Sequence, residues 1–155
     1  MKRSPQNTSL VAEPEALYGR ASGKKSPATR KRPQADTLVE RIRAGLPVSE
    51  FDTLRGLLGI PAEELSGYLN ISRSTLMRRR RSGRLAPDES DRVIRFARLF
   101  GMTADVLGGH DEARAWLRQP ARALGGAVPL AFAETEAGAR EVENVLGRIE
   151  YGVYA

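Results

Sequence analysis

Six arginines and no acid lie between positions 73 and 84: Arg73, Arg78, Arg79, Arg80, Arg81 and Arg84. A guanidinium is planar, permanently charged, and can hold phosphate oxygens through two parallel hydrogen bonds. Ser74 and Thr75 add short hydroxyls at the start of the same run. The chemistry on offer is recognition of a polyanion. A second group stands at the end of the chain. Arg148, Glu150, Tyr151, Val153, Tyr154 and the carboxylate of Ala155 combine charge, aromatic rings and apolar surface within eight residues.

Catalytic chemistry finds little to work with. There is no cysteine and one histidine, His110, so thiolate nucleophiles, Cys or His metal clusters and paired-histidine sites are missing. Glu141 and Glu143 are two residues apart and diverge on a helix. Gly108-Gly109 and Gly125-Gly126 follow no strand and read as turns rather than phosphate loops. The sequence predicts a non-enzyme with no metal and no cofactor.

The chain has 155 residues and a net charge of +6. Residues 1–36 carry eight Lys or Arg against three acids, and residues 73–84 carry the six arginines, so the remainder is net −5. Basic segments on an acidic body place the polyanion at a defined site. No apolar stretch reaches the roughly 18 residues of a membrane span, and the basic N-terminus lacks the apolar core of a secretory signal. The expected location is the cytoplasm.

The elements that must position these groups are helical. Residues 1–36 are rich in Pro, Ser, Gly and Lys/Arg and read as a disordered basic tail. It is either a solvated tail or an arm adding phosphate contacts, and Leu10, Val11, Leu17 and Tyr18 allow at most a transient helix. From Thr37, Leu38, Val39, Ile42 and Leu46 recur with helical period until Gly45 and Pro47. Ser49 is the expected cap of a helix through Phe51, Leu54, Leu57 and Leu58, closed by Gly59. Pro61 starts the next, to about Leu69. Ser72 caps another, to about Ser82. Pro87 opens a fifth, whose stripe Val93, Phe96, Ala97 and Phe100 ends near Gly101. A turn through Val106 and Leu107, a helix over about 111–118 and a Gly/Pro-punctuated turn over 124–133 follow. Thr135 caps the last helix. No strand pattern occurs, so the fold class is all-α, divided as 1–36, 37–100 and 101–155.

Residues 64–83 fit a helix-turn-helix. Leu65, Leu69, Ile71 and Leu76 supply the crossing contacts, Ser66 the small residue, and Asn70 a turn residue that tolerates left-handed backbone. Ser72 caps the second helix and leaves Arg73, Ser74 and Thr75 at the end that meets base edges. Arg73, Ser74, Thr75 and Arg78 are the expected groove contacts; Arg79, Arg80, Arg81 and Arg84 are the expected phosphate contacts. Position 79 departs from the pattern, because an apolar residue would suit the crossing. Four consecutive arginines turn about 100° each, so they cannot share one face.

In the last helix Val142, Val145, Leu146, Ile149 and Val153 form one stripe running to the end of the sequence. Such an end docks on its own core or on a partner. Trp116 likewise anchors either the core or an interface, and His110 reads as an exposed turn residue.

Two blocks together resemble a known family. The first is Leu69-Asn-Ile-Ser-Arg-Ser-Thr-Leu-Met-Arg-Arg-Arg with Gly83-Arg-Leu and Pro87-Asp-Glu-Ser-Asp-Arg. The second is Leu124-Gly-Gly, Pro129-Leu, Gly138, Val142, Leu146 and Arg148-Ile-Glu-Tyr-Gly-Val-Tyr. Across roughly residues 38–155 the chain is similar to type II antitoxins of the Xre/MbcA/ParS kind. The resemblance implies a cognate RES-domain toxin that consumes NAD or uses it for ADP-ribosylation. The C-terminal helix and tail would occlude its active site, with Tyr151, Val153, Tyr154 and the Ala155 carboxylate reaching the NAD pocket and Arg148 and Glu150 at its rim. It also implies a homodimer that binds operator DNA and represses its own operon. The alternative is a plain helix-turn-helix regulator whose C-terminal region binds a ligand or only dimerises.

Overall fold

The computed structural model describes residues 9–18 and 35–152. Among the described residues there are nine α-helices, one 3₁₀ turn at Arg122–Leu124 and no strand beyond isolated bridges, so the fold is all-α. No helix among them is long and apolar enough to cross a membrane. The helices are α1 Pro14–Tyr18, α2 Ala35–Ala44, α3 Ser49–Leu58, α4 Ala62–Tyr68, α5 Arg73–Ser82, α6 Pro87–Leu107, α7 His110–Arg118, α8 Pro129–Phe132 and α9 Glu136–Glu150.

One helix organises the rest. α6 is 21 residues long, and α1, α2, α3, α7 and α9 all pack on it. Val93, Phe96, Ala97 and Phe100 are buried, as their spacing predicts, and so are Leu99, Met102 and Ala104 further round. A helix buried on nearly every side gains more from packing than its residues lose in propensity. Gly101 therefore does not end it: the helix runs on to Leu107 and is closed by Gly108 in the left-handed region. The expected division between residues 100 and 101 falls inside this continuous rod. α9 is pinned along it by Arg95–Glu136 at 2.9 Å and Arg98–Glu143 at 3.1 Å.

The N-terminal segment corrects the sequence reading. Residues 9–18 are not a solvated tail but a clasp across α3, α6 and α7; the remainder of the expected tail, 1–8 and 19–34, lies outside the described residues. Val11 is fully buried. The buried carboxylate of Glu50 in α3 accepts hydrogen bonds from the Ser9 hydroxyl (2.7 Å) and the Leu10 and Val11 amides (2.9 and 3.1 Å). This arrangement satisfies both partners: a buried carboxylate needs donors, and an irregular backbone needs acceptors. His110 is exposed as expected, but it opens α7 rather than a turn, bonds Glu15 at 2.6 Å and sits edge-on to Phe100.

The clasp depends on Gly101. A Cβ there would collide with the carbonyl of Pro14 and stand 2.8 Å from the Glu15 amide. Gly101→Ala improves helix propensity by up to about 1 kcal/mol, yet it expels the clasp. Hydrogen exchange tests this: the Leu10 and Val11 amides lose protection while α6 amides keep theirs. Unchanged protection at Leu10 and Val11 would show that the clasp does not rest on this contact.

Smaller differences have local causes. Val48, not Ser49, occupies the cap position of α3, without a side-chain bond, and Pro61 precedes rather than opens α4. Thr135 does cap α9, accepting from the Gly138 amide at 3.0 Å.

Candidate functional site

The helix-turn-helix is formed by α4 and α5. Leu65 and Leu69 are fully buried, and Ile71 and Leu76 nearly so, at the crossing. Ser66 is buried there too, its hydroxyl donating to the Ala62 carbonyl at 2.7 Å. Asn70 makes the turn with φ 53°, a conformation that Asn tolerates better than most residues. Ser72 caps α5, its hydroxyl accepting from the Thr75 amide at 3.2 Å.

Side-chain partners, rather than burial, sort the eight residues expected to touch DNA. Arg73, Ser74, Arg78 and Arg81 are exposed on the outer face of α5. None of those three arginines has an ion pair or side-chain hydrogen bond among the described residues. The other four are engaged elsewhere. Thr75 belongs to the cap, with its hydroxyl 2.8 Å from that of Ser72. Arg79 points back under the domain, where Nε and Nη2 donate to the two oxygens of Glu89 at 2.8 and 3.1 Å. Glu89 is buried and also accepts from the Ala86 amide at 2.8 Å. This pair occupies the crossing position where an apolar residue was expected, and the bond to Glu89 raises the Arg79 pKa. Arg80 donates to both oxygens of Asp52 at 2.9 and 3.0 Å and lies 5.8 Å from the Phe51 ring centroid. Arg84 donates to the Gly45 carbonyl at 2.7 Å. Arg79, Arg80 and Arg84, expected as phosphate contacts, therefore act as struts for α5 in the free protein.

One residue on the outer face was missed. Met77 is 51% exposed, between Arg73 and Arg81 on the helix wheel. It forms the edge of an open groove of about 570 Å³ between α4 and α5, with Gly67, Ile71 and Leu76 at its base. Its neighbours in sequence are mostly arginines, so no apolar period marks it; only the angular position does.

At the other end of the molecule the apolar stripe resolves into two parts. Val142, Val145 and Leu146 are buried, and Ile149 packs beside them, so the stripe docks on its own core. Tyr151 is 76% exposed where α9 ends. With Glu143, Asn144, Gly147 and Arg148 it lines a shallow open groove. Arg148 lies 3.8 Å from Glu141 on the same face. Glu150 is partly buried and has a partner within the fold. Val153, Tyr154 and Ala155 lie outside the described residues. Trp116 packs half-buried against the core, and no group of three or more Asp, Glu or His could hold a metal among the described residues.

These two surfaces fall in two segments with known counterparts. Residues 37–98 match the antitoxin Xre-like helix-turn-helix domain, and residues 102–152 match the antitoxin Xre/MbcA/ParS C-terminal toxin-binding domain. The chain is 38% identical over 121 residues to an Antitoxin Xre of Yersinia enterocolitica, covering 76% of this chain and 81% of that protein. It is 33% identical to an Antitoxin Xre of Photorhabdus laumondii, covering 72% and 77%. A Sphingobium protein named Prs ADP-ribosylating antitoxin is 27% identical, covering 74% and 78%. The first matched segment contains the asparagine turn and the arginine-faced helix, and the second contains the last helix with its exposed tyrosine: the protein belongs to the Xre antitoxin family.

Proposed function

We propose that this chain neutralises a RES-domain toxin by covering the entrance to its NAD pocket with the end of α9 and the residues after it. The carrying observation is the division of labour along α9. Its apolar stripe up to Ile149 packs internally, while Tyr151 and the groove beside it face solvent. A rigid helix presenting an aromatic anchor binds without much loss of conformational freedom. A pocket built for a pyrophosphate and an aromatic base would accept the Ala155 carboxylate and a tyrosine ring as substitutes. The Sphingobium relative, whose name couples an antitoxin to ADP-ribosylation, supports NAD as the toxin's substrate.

In the same reading the chain acts in the cytoplasm as a homodimer, and α5 binds an inverted-repeat operator to repress its own operon. Arg73 and Arg78, expected at the groove, join Arg81 in neutralising phosphates in this reading, because all three face outward without a partner among the described residues. They contribute roughly 2.7 units per protomer to the log–log salt slope, at about 0.9 per phosphate.

The test is co-expression with the product of the adjacent gene, pull-down, and an assay of NAD consumption. A stable complex with NAD loss suppressed is the expected result. A neighbour without toxicity, or no complex, sinks the toxin reading. It would leave a helix-turn-helix regulator whose C-terminal region binds a ligand or only dimerises.

A further inference from the structure

The outer face of α5 covers an arc of about 140°, at 100° per residue, and carries Arg73, Ser74, Met77, Arg78 and Arg81. Four of these can bind phosphates or the polar edges of bases. Met77 cannot. It lies one turn after Arg73 and one turn before Arg81, with half its surface in water. Leaving an apolar side chain there costs solvation unless a partner covers it. The partner must also accept three unpaired cations within a turn of it.

A second copy of this face fails that condition. Two-fold pairing of α5 on α5 would set arginines against arginines; α5 carries no acid, and Glu63 on the α4 wall is the single carboxylate lining the groove against Arg73 and Arg80. Duplex DNA meets both conditions at once. Its phosphates take the arginines, and its major groove offers one apolar group on a base edge, the C5 methyl of thymine.

We propose that Met77 is a specificity-determining residue that packs on a thymine methyl in the bound duplex. This inference rests on the DNA-binding reading of α5. An unbranched thioether side chain suits the task, because it adapts to the contour of a methyl without demanding hydrogen bonds. Covering one methyl is worth about fourfold in affinity.

The test uses the full chain and a duplex enriched from a random pool by repeated binding. Each thymine of the enriched site is replaced in turn by deoxyuridine, which removes only the methyl. At one thymine per half-site the unsubstituted protein loses about fourfold. Met77→Ala loses about the same on the thymine duplex and nothing further on the deoxyuridine duplex. Its melting temperature stays that of the parent, since Met77 is not in the core. Equal losses in both proteins at every thymine, or full affinity of Met77→Ala for the thymine duplex, would overturn the proposal. Arg73→Ala with Arg78→Ala separates the two levels. If that pair weakens binding and flattens the salt dependence while Met77→Ala does neither, DNA binding stands and the methyl contact falls. If no duplex is enriched, both fall. Loss of dimer mass in Met77→Ala by sedimentation would then assign the face to a second copy.

Discussion

A chain ending at Glu150 fails to protect cells from the toxin yet binds its operator within about twofold of the full protein. The residues removed begin at Tyr151, which contributes nothing to the core. Val142, Val145 and Leu146 stay in place, so α9 keeps its seat on α6 through buried contacts and through Arg95 and Arg98. What is lost is the exposed aromatic anchor and everything after it. A central aromatic anchor at an interface is worth about 2–4 kcal/mol, or roughly 30- to 1000-fold in affinity. Tyr151→Phe separates the ring from its hydroxyl and retains most of the binding, whereas Tyr151→Ala does not. Toxin affinity by calorimetry and survival on induction of the toxin are the two readouts. Survival with the truncated chain would place the neutralising contacts on α7 and α8 instead.

Gly138→Ala carries the largest expected cost in stability. Gly138 sits in the first turn of α9, with its amide on the Thr135 hydroxyl. A Cβ there would fall on the Phe132 carbonyl, and backbone cannot swing aside as a side chain can. Overpacking of this kind costs about 3 kcal/mol, which lowers the melting temperature by roughly 6–12 °C in a chain of this size. The corner between α8 and α9 opens, and the toxin-facing end of α9 shifts with it. Gly147→Ala is the contrast. Nothing lies within 4 Å of a Cβ at that position, so the substitution gains up to about 1 kcal/mol of helix propensity. Thermal unfolding followed by circular dichroism distinguishes the pair; similar melting temperatures would mean that the α8–α9 corner absorbs the methyl.

Much of this was legible in the sequence, because it is encoded locally. Gly59, Gly83, Pro87 and Thr135 mark helix ends within one turn of where they act. Leu65, Ser66, Asn70 and Ser72 specify the helix-turn-helix by spacing alone. What was not legible is encoded across distance. Glu50 looks like an ordinary acid in a first helical turn, yet its partners are about forty residues earlier. Glu89 likewise reads as an acid suited to a helix N-terminus; its second task, holding Arg79, crosses the Gly83 turn. The arginine run was visible as charge, but charge does not say which way a side chain points. Only the packed helix separates Arg79, Arg80 and Arg84 from the outward set.

The clasp also ties the shape of the molecule to the order in which it is made. Residues 9–18 are made long before their partners: Glu15 needs one 95 positions later, and Pro14 needs the bare backbone of Gly101. At about 5–20 residues per second, roughly 5–20 s pass between their synthesis and that of His110. Throughout that interval the segment has only the Glu50 carboxylate to settle on. Its closure on α6 and α7 therefore waits until translation has passed the middle of the molecule, and a product stalled before Gly101 carries the helix-turn-helix with the clasp unseated.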